Sequence, residues 1–303
     1  MNPANKIFLT GGTGFFGKSI LSMRKRGFGS NLKFVVLSRD PAKFLSANPE
    51  FNGVPMVEFI SGDIRDFTFP EQAFECILHA AAPAMAMPPG VERDIIIRGT
   101  RRMLDFARRC GAKRLLFVSS GAVYGPQPPD LELIPEDFPC HPATEYGIAK
   151  YEAEQMCLAS GIETVIARCF AFTGLYLNRN IHFAIGNFIR DCLACRDIVI
   201  KGDGTPYRSY LYADDLVRWL FKVMFEGKPG RAYNIGSDYG VSILELAQTV
   251  RKVLHSQNEI VVCQKPVPGC LPPRYVPDIS RIRNELQVKI ETGLEEAIRK
   301  SAG

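Results

Sequence analysis

Through the first half of the chain, short apolar runs alternate with longer amphipathic stretches. The first run, Ile7, Phe8 and Leu9, leads straight into a glycine-rich turn. Later runs cover 33–37, 56–61, 76–78, 115–119 and 164–167, rich in Val, Ile, Leu and Phe. Runs this short and this apolar read as strands buried on both faces. Helical periodicity covers about 92–110 and 146–159. Strands alternating with helices at this spacing predict a doubly wound parallel α/β sheet covered on both sides. Beyond about Phe170 the rhythm changes. Helices near 183–195, 214–225 and 242–254 surround brief strands at 198–200 and 232–235, and a Pro-rich stretch at 266–277 precedes two short helices. We expect residues 1–170 to form the sheet domain. Residues 171–303 would form a smaller C-terminal α/β lobe, with some exchange of chain between the two. Ligands of such sheets bind at the carboxyl ends of the strands.

Composition narrows the class. The 303 residues are 46% apolar, enough for a sizeable core. The net charge is +5, and the arginines form no basic block with interleaved aromatics, so nucleic acid is not expected as a partner. No stretch approaches the roughly 20 apolar residues of a membrane span, and the N-terminus carries no apolar leader core. Nine cysteines, an odd number scattered through apolar segments, read as reduced thiols of a cytoplasmic protein. Cys192 and Cys195 form an isolated C-x-x-C without a second ligand pair, so no metal site is expected. Trp219, at helical spacing with Leu216 and Leu220, reads as core.

The turn after the first strand carries Gly11, Gly12, Gly14 and Gly17 in G-x-x-G-x-x-G and G-x-G-x-x-G spacing. Early glycines let the backbone approach a pyrophosphate, the last lets helix and strand pack closely, and the helix N-terminus meets the negative charge. A dinucleotide site is the expectation, with Phe15 and Phe16 at the helix start in its lining. At the end of the second strand an acid would bind the ribose hydroxyls of NAD, but Ser38 and Arg39 stand there. A hydroxyl and a guanidinium suit a 2′-phosphate, which favours NADP over NAD. Asp40 is the competing acid, or else a helix cap. Asp63 and Ile64 follow the third strand, where Asp63 either accepts from the adenine amino group or serves as a turn residue. His79, Ala80 and Ala81 end the fourth strand beside the cofactor. His79 acts there by backbone positioning or by chemistry.

Two motifs carry chemistry. Ser119, Ser120 and Tyr124 follow the fifth strand, and Tyr146 and Lys150 open the next helix four residues apart, on one face. A phenol titrates near 10 in water. A neighbouring ammonium and a positive nicotinamide ring both favour phenolate. Tyr146 can then exchange a proton with a sugar hydroxyl or ketone while hydride moves at the same carbon, and Ser120 supplies a second hydrogen bond to that oxygen.

With Gly11 to Gly17, Gly62-Asp63-Ile64, His79-Ala80-Ala81, Ser119 through Gly125 and Tyr146 through Lys150, the chain resembles an extended short-chain dehydrogenase/reductase. The nearest group is the NAD(P)-dependent nucleotide-sugar epimerase/dehydratase family. The resemblance implies a Rossmann domain with a tightly held NAD(P), a nucleoside-diphosphate-sugar substrate, a substrate-binding lobe and a homodimer built from two helices per subunit. Carried over, Ser120, Tyr146 and Lys150 are catalytic. Residues 202–210 resemble the family's substrate-lobe signature, so Arg208, with Arg274, would grip the substrate diphosphate. Ser120 and Tyr124 would line the substrate.

Departures from the family are informative. Dehydratases carry Asp-Glu directly after the catalytic hydroxyl, and decarboxylating members a Glu two residues before Tyr124. Gly121 and Ala122 occupy those positions. Ala171 replaces the substrate-contacting Asn after the sixth strand, which leaves Asn187 to hold phosphates. Ile96 stands where an Asn is usual. His182 is a further pocket candidate, or else a helix cap. The expected activity is epimerisation or 4-keto reduction, at C4. The alternatives are a 4,6-dehydratase and a non-catalytic NADP-binding regulatory protein.

Overall fold

The computed structural model describes residues 5–303 apart from 84–86, 89 and 182. The chain begins with β1 (Asn5–Thr10), α1 (Phe15–Lys25), β2 (Leu32–Ser38), α2 (Pro41–Ala47) and β3 (Val57–Ser61). It continues through β4 (Cys76–His79), α3 (Val91–Cys110), β5 (Arg114–Ser120), α4 (Glu145–Leu158) and β6 (Glu163–Cys169). A 3-10 turn, Gly121–Tyr124, follows β5 directly. Next come β7 (Phe172–Thr173), α5 (Ala184–Leu193), β8 (Ile198–Ile200), β9 (Tyr207–Arg208), β10 (Leu211–Tyr212) and α6 (Ala213–Glu226). The rest comprises β11 (Ala232–Ile235), β12 (Val241–Ser242), α7 (Ile243–Val253), β13 (Ile260–Val262), β14 (Arg274–Tyr275), α8 (Ser280–Leu286) and α9 (Leu294–Ala302).

The main sheet has seven strands in the order β11-β6-β5-β4-β1-β2-β3. Its five strands from β5 to β3 pair in parallel. Strand order reverses between β1 and β4, the switch point at which doubly wound sheets bind ligands. The predicted strands and helices of this half are all present, with ends shifted by a residue or two. Helix α2 was not predicted. Asp40 caps it, accepting from the Lys43 N–H at 2.9 Å, and Pro41 opens it.

The chain divides into two compact units. The first comprises residues up to Gly125, Cys140–Arg168 and Trp219–Tyr233. The second comprises Pro126–Pro139, Cys169–Arg218 and Asn234–Gly303. In the first unit Phe8, Val35, Leu37, Leu115 and Phe117 face one side of the sheet and pack with Met103, Phe106 and Ala107 of α3 and Ala149, Ala153 and Cys157 of α4. Strand alternation turns Phe34 to the other face, where its ring lies 6.0 Å from Phe221 of α6. The second unit holds three small sheets, ordered β12-β9-β14, β10-β7 and β13-β8. Buried polar anchors also tie down its loops. Asn234 donates to the Ile134 and Asp278 carbonyls at 2.8 and 3.1 Å, and Asp215 accepts from the N–H of Glu291 and Thr292. No helix among the described residues is long and apolar enough to cross a membrane.

Phe106 lies at the centre of the first unit's aromatic cluster, 4.6 Å from the Phe8 ring, 5.5 Å from Phe67 and 5.6 Å from Phe74. Phe106→Ala should therefore lower unfolding free energy by about 3–5 kcal/mol. Urea denaturation monitored by circular dichroism measures it. A loss under 1 kcal/mol would mean that the cluster collapses into the void.

Candidate active site

Where β1 turns into α1, Gly11 and Gly17 occupy positions with no room for a side chain. A Cβ on Gly11, whose φ is +72°, would lie 2.5 Å from the Ala80 carbonyl oxygen. A Cβ on Gly17 would lie 2.1 Å from the Gly12 Cα. Gly14 is the N-cap of α1, so no side chain satisfies the first-turn N–H groups, and the first turn contains no acid. These are the conditions under which a helix N-terminus receives a phosphate. The residues present fit a dinucleotide pyrophosphate.

Around this turn, β2 ends at Ser38, which pairs with Ser61 of β3 and is buried. Arg39 and Asp40 are exposed. Asp63 is held by Arg65, which donates from Nε to Oδ1 at 2.8 Å and from Nη2 to Oδ2 at 3.1 Å. Those bonds lower the Asp63 pKa, and Arg65 also reaches Asp94 of α3. Ile64 is buried against Gly99.

His79 is fully enclosed. Thr10 Oγ1 accepts from the Ala81 N–H at 3.1 Å and shares a hydrogen bond with His79 Nδ1 at 2.8 Å. His79 Nε2 shares another with the Thr100 hydroxyl at 3.2 Å. Burial, together with the Lys150 charge, depresses its pKa to about 3. The imidazole stays neutral and bridges Thr10 of β1 and Thr100 of α3.

Ser120 ends β5, and Tyr146 and Lys150 lie in the first two turns of α4. Thr144 caps α4 by accepting from the Gly147 N–H at 3.1 Å. Lys150 is buried, donates from Nζ to the Val118 carbonyl at 2.9 Å and lies 5.8 Å from the Tyr146 ring centroid. The Ser120 oxygen accepts from the Ala122 N–H at 3.1 Å, which leaves its hydroxyl proton to donate elsewhere. Glu92 of α3 feels burial and the charge of Glu145, both raising its pKa, and the charge of Lys150, lowering it. Tyr124 is 1% exposed, under the Arg168 guanidinium. Arg168 in turn holds the buried Glu154 of α4. Sequence reasoning missed that pair. The signal was Glu154 four residues beyond Lys150 and an arginine ending an apolar strand.

Of the residues expected at the substrate, Ser120 and Tyr124 lie in the first unit, and Asn187, Arg208 and Arg274 in the second. Asn187, in the first turn of α5, accepts from Arg190 at 3.4 Å. Arg208 lies 5.9 Å from the Tyr275 ring, and Arg274 lies 4.4 Å from the Tyr207 ring. Tyr207 pairs with Arg274 and Arg208 with Tyr275, so the two arginines stand on opposite faces of the small sheet. His182 lies outside the described residues. Cys192 is buried and Cys195 exposed. Among the described residues no His, Cys, Asp or Glu cluster could hold a metal.

The family model of the NAD dependent epimerase/dehydratase family matches residues 7–236. The chain belongs to that family, a branch of the extended short-chain dehydrogenase/reductase enzymes. It is 29% identical to UDP-glucuronic acid decarboxylase 6 of Arabidopsis thaliana over 320 residues, 95% of this chain and 86% of the relative. It is 28% identical to a putative UDP-glucose 4-epimerase of Methanocaldococcus jannaschii, over 97% of this chain and 96% of the relative. The crystal structure of UDP-glucuronic acid 4-epimerase from Bacillus cereus, with UDP-glucuronic acid and NAD, superposes with a TM-score of 0.84 at 23% identity, over 98% of each chain. That last likeness is one of fold.

The His79 environment has a consequence for acid stability. Below about pH 6.5 an unfolded histidine binds a proton that folded His79 refuses, so this group's contribution falls by about 1.4 kcal/mol per pH unit, down to about pH 3. The His79 ring should show no titration between about pH 5 and 8 by NMR. A folded-state midpoint near 6.5 would contradict the enclosed, neutral ring.

Proposed function

We propose that this chain is an NAD(P)-dependent enzyme acting at C4 of a nucleoside-diphosphate sugar, either epimerising it or reducing a 4-keto form. The supporting observation is Lys150, a buried ammonium beside the Tyr146 ring, one helical turn along α4. In this mechanism Tyr146 takes the proton of the C4 hydroxyl, or returns one to a C4 ketone. Ser120 donates to the same oxygen. Lys150 favours the phenolate by its charge and fixes the ring's direction from beneath. The nicotinamide, when bound, supplies and accepts the hydride. Arg208 and Asn187 take the diphosphate, and Arg274 joins them by leaving the Tyr207 ring. Gly121 and Ala122 offer neither acid nor base, which argues against elimination of water and against the decarboxylation named in the Arabidopsis relative.

The same reading makes the protein a cytoplasmic homodimer packed through α3 and α4. Nine free cysteines support a reducing compartment. Ile148 and Leu158 of α4 are 46% and 39% exposed, an apolar surface suited to a partner helix.

The test is a panel of UDP-, dTDP-, GDP- and CDP-hexoses and their 4-keto forms, read by mass spectrometry. An epimerase changes no mass and consumes no coenzyme. A reductase adds two hydrogens and consumes one coenzyme per turnover. Tyr146→Phe should cut either activity by roughly 10²–10⁴ and leave coenzyme binding intact. Catalytic loss of water or carbon dioxide from any sugar would refute the assignment.

For the coenzyme we propose NADP over NAD. Asp40 is occupied in capping α2, while Ser38 and Arg39 stand at the end of β2. Calorimetry on apoprotein should give tighter binding of NADP. Equal or tighter binding of NAD, the coenzyme in the B. cereus structure, would return the ribose to Asp40.

A further inference from the structure

Tyr146, Lys150 and Glu154 follow one another on α4 at four-residue intervals. Glu154 is fully buried and Arg168, near the end of β6, is 8% exposed. Arg168 Nε donates to both Glu154 oxygens at 3.1 and 3.3 Å, and Nη2 donates to Oε2 at 2.8 Å. Its guanidinium lies 4.8 Å from the Tyr124 ring centroid and is hydrogen-bonded to the Tyr124 side chain. The Cys140 thiol joins the same group. All of these residues belong to the first unit.

A buried ion pair is weak evidence for stability, because desolvation offsets most of the attraction. Its geometry is more informative. A planar guanidinium fork fixes two directions at once. Through Glu154 it holds α4 one turn beyond Lys150. Through Tyr124 it holds the far end of the 3-10 turn that starts directly after Ser120. The near end of that turn is capped by Ser120 itself. The Ala122 carbonyl meets α4 at Gly147, where a Cβ would lie only 2.6 Å away. We infer that the Glu154–Arg168 pair positions the reaction centre, setting the Ser120 hydroxyl against the Tyr146–Lys150 stripe. The inference rests on the roles proposed for those three residues. Glu154 and Arg168 touch no reacting atom.

The phenol of Tyr146 reports that geometry without a substrate. Other charged or titratable groups near the stripe, among the described residues, are Glu92 of α3, Glu145 beside Tyr146, His79 of β4 and the buried Cys157 thiol of α4. Protein saturated with nicotinamide coenzyme is titrated by tyrosinate absorbance, with Tyr146→Phe as the subtraction. The wild-type midpoint should lie below the ordinary value of about 10. In Glu154→Gln, in Arg168→Lys and in the double variant Glu154→Leu/Arg168→Met, it should rise by about a unit or back to about 10. The double variant leaves no buried charge unpaired, so its melting temperature should stay near wild type. On whichever sugar of the panel turns over, kcat should fall about tenfold or more with KM little changed. A depressed midpoint that stays unmoved in the folded variants overturns this inference alone. A wild-type midpoint near 10 overturns the role of Tyr146 and the inference with it. Failure of all three variants to fold would make the pair structural and also overturn it.

Discussion

The position of Gly17 admits no side chain, since a Cβ there would fall 2.1 Å from the Gly12 Cα. That closeness lets α1 begin directly over the end of β1, with an uncapped N-terminus at the sheet's switch point. The same turn sets the distance to the next strand, because Gly11 presses on the Ala80 carbonyl. Thr10, one residue earlier, bonds both the Ala81 N–H and His79. The proposed cofactor cradle is therefore a backbone surface, shaped by the side chains that Gly11 and Gly17 exclude, with the neutral His79 imidazole bonded to Thr10.

Beneath the reaction residues lies an unusual density of buried polar groups. His79, Lys150, Glu154 and Arg168 are each less than 9% exposed. In a low-dielectric interior an unsatisfied group of this kind is costly, and a satisfied one is held rigidly. Each has partners: Lys150 the Val118 carbonyl, His79 two threonines, Arg168 its carboxylate and an aromatic face. The proposed reaction exchanges one proton and one hydride at a single carbon, where such rigidity contributes through orientation.

The second unit presents a different arrangement. Arg208 and Arg274 are drawn onto tyrosine rings on opposite faces of one small sheet. Asn187 already serves Arg190. On the proposed function, substrate contacts there require Arg208 and Arg274 to leave those rings. Gly121 and Ala122 carry no acid–base group, which on the same proposal narrows the chemistry relative to the activities named among the relatives.

Hydrophobic periodicity determined β1 to β6, α3 and α4, because parallel strands buried on both faces leave short apolar runs between amphipathic helices. Local spacing determined the glycine turn and the Tyr146–Lys150 stripe, since both lie within one turn of backbone. Helix α2 was hidden in seven residues whose start depends on Asp40 acting as a cap, which competes with its possible use on a ribose. The Glu154–Arg168–Tyr124 group and the Thr10–His79–Thr100 bridge were illegible for another reason. Their bonded partners lie up to 69 residues apart in the chain. Their partners are chosen only when neighbouring strands and helices bring them together in a dry interior. The opposite facing of Arg208 and Arg274 likewise follows from the register of two-residue strands, which no propensity encodes. Sequence could name the chemical groups because their types and spacings are local; their pairing and direction came from tertiary packing, which is not.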